Sequence, residues 1–188
     1  VGDGLALSMV TQGITTAILG EGDTPAPVND KILALQTDTA TATLMRRFAG
    51  PRGFGDWLES MVTRGVSQNV GSFLGNGTVR VYGHGGGMGP ASAAEIDTMQ
   101  AMVRRAMQDG AFGIASALIY PPNSYASTDE LIAVNKATAA YGGVYITHMR
   151  SEGDKFLEAM DEAMRIGKEA NVPVEIYHLK GAGARNWA

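Results

Sequence analysis

Between Ser92 and Lys180 apolar runs alternate with amphipathic stretches at about thirty residues per unit, and this rhythm restricts the fold more than any other feature. "SAAEIDTMQAMVRRAMQDG" (92–110) opens on Ser92 and Glu95 at capping-box spacing and closes on Gly110. "STDELIAVNKATAAYG" (127–142) has a Ser/Thr cap and ends on Gly142. "GDKFLEAMDEAMRIGKEAN" (153–171) places Phe156, Met160, Ala163, Met164 and Gly167 on one helical face. The runs between them, "AFGIASALIY" (111–120), "GVYITHMR" (143–150) and "VPVEIYHLK" (172–180), read as strands. Strands joined by helices must lie parallel, and nearly wholly apolar strands fit a sheet covered by helices.

Upstream, "GITTAILGE" (13–21) and "QNVGSFLGNG" (68–77) add two strand-like runs, which makes about five. Between them lies a long irregular part with a short helix expected near 38–48, then helical spacing over 54–67. The chain opens on Val1 inside what reads as a helix, and both ends read as cut. The expected architecture is α/β, either a doubly wound sheet or part of a (β/α)8 barrel. "GHGGGMGP" (83–90) is glycine-rich, but a proline and a further loop follow it. It therefore lacks the strand-to-helix setting of a dinucleotide-binding turn, and His84 within it is expected to be exposed and not a ligand.

With 45% hydrophobic residues in 188, the chain can bury a core. A net charge of −4 without blocks of like charge lacks the basic footprint of a nucleic-acid binder. No apolar run reaches the length that spans a membrane. The absence of cysteine leaves no disulfides or thiolate ligands and is compatible with a cytoplasmic location. The methionines at helical spacing (Met99, Met102, Met107, Met160, Met164) read as core filler.

Polar residues with chemical potential gather at the C-terminal ends of successive strands: Glu21, Tyr120, His148 with Arg150, and His178 with Lys180. In a barrel these ends open onto one face, where chemistry is found, and this favours the barrel. Two of the three histidines thus occupy matched positions one repeat apart. With Glu21 they make a plausible three-ligand set for a zinc-like ion, leaving a position for water. The alternative is a pair of satisfied strand-end histidines. By strand alternation Lys180 points with His178 and suits a substrate carboxylate. Arg150 and Glu152 read equally as an ion pair or as a cap for the helix that follows.

"QGITTAILGEG", "GIASALIYPPNSYASTDEL" and "YITHMRSEGDKFLEAMDEAMRIGKEANVPVEIYHLKGAGARNW" together resemble the N-acyl-D-amino-acid deacylase (D-aminoacylase) family of the amidohydrolase superfamily. The resemblance implies zinc-dependent amide hydrolysis on a (β/α)8 barrel, with one or two divalent ions and metal-activated water attacking the N-acyl carbonyl. It implies His148 and His178 as metal ligands and Lys180 and Tyr120 as contacts for the substrate carboxylate, with Arg150 beside them. Glu21 stands where many members carry the cysteine of "GNCG", and Asn76 stands where some carry histidine. The family's His-x-His pair and its general acid/base aspartate have no counterpart here. Residues 1–188 are therefore expected to form an incomplete barrel domain, without the first strand and the C-terminal part, and without a catalytic residue of their own. Such a piece is expected to be inactive alone and to associate through its open edges. A sister amidohydrolase (D-dipeptidase, dihydroorotase or hydantoinase-like) and a non-catalytic barrel module are the alternatives.

Overall fold

A computed structural model describes residues 5–187; the helical reading at Val1 falls outside the described residues. The strands are β1 (Thr16–Leu19), β2 (Asn69–Ser72), β3 (Leu74–Gly75), β4 (Gly113–Ala117), β5 (Val144–His148) and β6 (Val174–Ile176). All pairings are parallel: β1 with β2, then β3 with β4, β4 with β5 and β5 with β6. β2 and β3 are one run interrupted at Phe73, whose N–H still donates to Leu19 O (2.9 Å). The expected five strand positions are therefore present, as an arc of parallel strands with helical crossovers.

The helices are α1 (Leu7–Val10), α2 (Asp30–Ala34), α3 (Thr39–Met45), α4 (Gly53–Arg64), α5 (Asn76–Gly83), α6 (Ala93–Gln108), α7 (Thr128–Ala139) and α8 (Phe156–Ala170). Among the described residues no helix is long and apolar enough to cross a membrane. Strand alternation sorts the core into two sides. On β5, Tyr145 packs against Leu131 and Ile132 of α7 and Ile166 of α8. Ile146 faces the other way, onto Phe73 and Ala115, with Val144 and Tyr177 beside them. His148 continues the Ile146 face, so the sheet's alternation turns its ring away from the helices.

Two helices were not expected from the sequence. α2 is capped by Asn29, whose side chain accepts from Ile32 N–H (3.1 Å). α5 replaces the last residues of the expected strand 68–77. Its glycines and β-branched residues are poor helix formers, and burial of Val79 and Val81 holds it instead. Within α5, Arg80 is fully buried and ion-paired with Glu130 of α7. Its Nη2 donates to Gly89 O (2.7 Å) and so ties down the glycine-rich loop.

On α8 the buried face is Ala159, Ala163, Ile166, Gly167 and Ala170, and Met164 is 63% exposed. The apolar stripe is thus rotated from the expected one, because the small residues allow close approach of the helix to the sheet.

The capping box of α6 forms as its spacing predicts: Glu95 accepts from Ser92 N–H (2.7 Å), and Ser92 Oγ accepts from Glu95 N–H (3.4 Å). His84, expected in an open loop, instead lies partly buried with Nδ1 3.2 Å from Glu95. The Ser92 backbone N–H, then His84 and the Ser92 hydroxyl, hold the Glu95 carboxyl down at about 2. A depressed carboxyl contributes stability above its ordinary value and loses it as the pH falls through the folded one. The melting temperature of Glu95→Gln should therefore fall furthest below the parent above about pH 5, with the gap closing toward pH 2. A gap constant from pH 6 to pH 3 would refute this.

Candidate metal centre

Three elements deliver side chains to one point at the C-terminal end of the arc. His148 is the last residue of β5 and is buried, its backbone C=O held by Leu118 N–H (3.0 Å). His178 lies two residues beyond the end of β6, in a turn, with φ +32°. A non-glycine residue there is strained, and such strain persists where the surroundings over-determine the position. Glu21 sits between Gly20 (φ +107°) and Gly22 (φ +75°). A Cβ on Gly20 would lie 2.3 Å from Phe73 O, and one on Gly22 would lie 2.9 Å from the Ala117 Cβ. The two glycines let the chain turn tightly over β3 and β4 and aim Glu21 inward.

Glu21 Oε1 is 3.3 Å from His148 Nδ1 and 3.4 Å from His178 Nε2. One ligand atom from each residue fits within 4.8 Å of the others, and the two rings meet edge-on with centroids 4.5 Å apart. As hydrogen bonds these contacts are long. A tetrahedral zinc with nitrogen and oxygen ligands has edges of about 3.4 Å, and both contacts match that edge. His148 Nε2 is buried without a hydrogen-bond partner, and Glu21 is 44% exposed, so the group opens toward solvent. The donor set and its spacing fit one divalent cation.

A second carboxylate lies behind the first. Glu152 Oε1 is 3.5 Å from His148 Nε2, 3.2 Å from His178 Nδ1 and 2.5 Å from Lys180 Nζ. Burial raises the Glu152 carboxyl, but the Lys180 hydrogen bond and the charges of His148, Lys180 and His178 outweigh it. They hold the carboxyl below its ordinary value.

No family model matches the chain. Over 182 residues, 96% of its length, it is 37% identical to an N-acyl-D-aspartate deacylase of Alcaligenes xylosoxydans xylosoxydans. Over 181 residues it is 34% identical to a D-aminoacylase of the same organism. Among solved structures, a D-aminoacylase described as an amidohydrolase superposes with a TM-score of 0.80 at 34% identity, covering 95% of this chain and 37% of that one. An N-acyl-D-glutamate deacylase from Bordetella bronchiseptica, complexed with zinc and a phosphonate inhibitor, gives 0.78 at 25% identity with the same coverage. Over its length the chain is similar in sequence and fold to N-acyl-D-amino-acid deacylases. It spans about 36% of the curated deacylases it matches. Work on D-aminoacylase describes a binuclear metal centre with one-metal activation.

The residues expected at the site fare differently. Glu21, His148 and His178 converge. Lys180 lies beyond β6, where strand alternation no longer applies, yet its Nζ comes 2.9 Å from His178 Nδ1. Tyr120 follows β4, is 58% exposed, and sets its ring edge-on to His148 at 5.6 Å. Arg150 requires a correction. Its guanidinium donates to Glu162 (2.9 Å) and to the carbonyls of Ser124 and Ala126 (2.9 Å each), so it braces the Tyr120 loop and α8 rather than facing substrate. It does not pair with Glu152, which turns inward instead. Asn76 is buried, its Nδ2 3.4 Å from Asn123 Oδ1, apart from the cluster. The sequence reading missed Glu152 as a site residue. The signal was its i, i+4 spacing from His148, obscured because that spacing falls in a loop rather than a helix.

Proposed function

We propose that this stretch supplies one metal-ligand set and the substrate-carboxylate anchor of a metal-dependent deacylase acting on N-acyl-D-amino acids. The observation that carries it is the single Glu21 oxygen placed 3.3 and 3.4 Å from ring nitrogens of His148 and His178. A divalent cation there would supply Lewis-acid polarisation of the acyl carbonyl and would acidify a water molecule. Glu21, His148 and His178 would hold it.

The chain's own residues do the rest of the binding. Lys180, half-exposed at the rim, offers a point charge to the α-carboxylate, and Tyr120, its ring edge-on to His148, offers a hydroxyl to the same substrate. A carboxylate anchor favours an acyl-amino acid over a cyclic amide that lacks a carboxylate, such as a simple hydantoin. Among the described residues, β1 and β6 each have a strand neighbour on one side only, the basis for expecting self-association. A cytoplasmic location rests on the cysteine-free composition alone.

Among the described residues no aspartate joins the cluster to carry a proton to the leaving amine. Residues 1–188 are therefore expected to bind one zinc per chain while hydrolysing N-acetyl-D-amino acids at close to the uncatalysed rate. Zinc stoichiometry by equilibrium dialysis, with an amine-release assay on the D and L substrates, tests both halves. Failure to retain zinc would overturn the metal-site reading, and substantial turnover would overturn the assignment of the proton carrier elsewhere.

A further inference from the structure

We propose that the cavity between α3 and α4 binds a medium-chain carboxylic acid, its tail between the two helices and its carboxylate on Arg64. The site goes beyond the metal centre and shares no lining residue with it.

Trp57, Met61 and Arg64 fall at i, i+4 and i+7 on α4, so one face of that helix lines the cavity. Thr41, Leu44 and Met45 of α3 present the matching i, i+3 and i+4 face across it. The cavity holds about 570 Å3. Its walls grade from inside to outside. Trp57, Met45 and Phe48 are buried, Leu44 and Met61 are half-buried, and Thr41 and Arg64 are exposed. The floor is therefore apolar and the mouth polar, which suits an amphipathic ligand.

Length and charge narrow the class. Seven residues separate Trp57 from Arg64, about 10 Å along a helix. With bonds of about 1.5 Å, an extended chain of about eight carbons has that length. Arg64 is the one cation in the lining, and among the described residues no carboxylate pairs with it. A helical side chain leans back over the turn before its own Cα, here the turn of Ser60 and Met61, which also line the cavity. The planar guanidinium fork matches a carboxylate through two parallel hydrogen bonds. Asp23 is the one acid in the lining, but its Oδ1 is turned toward Gly77, where an added Cβ would clash with it. An amphipathic cation would meet like charge at the Arg64 mouth and is disfavoured.

The test uses the 188-residue protein carrying Trp187→Phe. Trp187 is exposed and outside the lining, so the change spares the cavity and leaves Trp57 emission as its reporter. Butanoate, hexanoate, octanoate and octan-1-ol are titrated. Octanoate should shift the emission saturably, with affinity rising about fourfold per methylene along the acid series. Arg64→Gln, shown to be folded by circular dichroism, should weaken octanoate by about tenfold and leave octan-1-ol within about twofold. No saturable response to octanoate, an affinity that does not grow with chain length, or an Arg64→Gln loss below about twofold would each overturn the proposal. Emission that follows protein concentration and ignores octanoate would show a second copy filling the cavity, and would overturn it as well.

Discussion

His148→Ala should abolish stoichiometric zinc binding, with affinity falling by more than about 100-fold, beyond the loss expected from removing an outer partner of a ligand. His148 is buried at the end of β5 and offers Nδ1 to the group shared with Glu21 and His178. Arg150 cannot take its place, since its guanidinium is held by Glu162 and two backbone carbonyls. Competition with a chelator measures the effect, and circular dichroism confirms the fold. Zinc bound by His148→Ala as tightly as by the parent would leave His148 no role as a ligand. Glu21→Cys gives the complementary result. A thiolate at this position should keep zinc while shifting preference toward soft cations, so that cadmium gains over manganese relative to the parent. A carboxylate merely hydrogen-bonded to two histidines would show no such shift.

Glu130→Ala should be the most destabilising single change, at about 3–5 kcal/mol, because it leaves the Arg80 charge buried and unpaired. Arg80 has no exposed surface, and its remaining contacts are to the carbonyls of Gly87 and Gly89, with Nε already unpartnered. The double substitution Arg80→Met with Glu130→Leu should recover most of the loss, since a buried pair often exchanges for apolar residues at little cost. Urea unfolding of the two variants and the parent reads both effects. A Glu130→Ala loss below about 1 kcal/mol, the range of exposed pairs, would show that water reaches Arg80.

The strand–helix rhythm and the capping box of α6 were legible because they are local: alternation, helical period and a three-residue spacing each need only neighbours along the chain. α5 was not legible, since Asn76–Gly83 has weak helical propensity and forms because Val79 and Val81 are buried against other elements. Arg150 was misread for a related reason. Its position two residues past His148 suggested the site, but the acceptors that capture it come from the Tyr120 loop and from α8. Glu152 was misread the other way, as a partner of Arg150 or a helix cap, because its partners lie on two different strand ends.

The sequence by itself determined the alternation of strands and helices from Ser92 onward, the parallel pairing, and the placing of Glu21, His148 and His178 after apolar runs. Period and spacing are encoded along the chain and survive without a partner in space. Only the tertiary structure decided which of these polar groups meet. The backbone turns at Gly20, Gly22 and His178, and the approach of Glu21 and Glu152 to the two rings, depend on distances between segments brought together by the fold. Such distances are fixed only once the sheet has assembled.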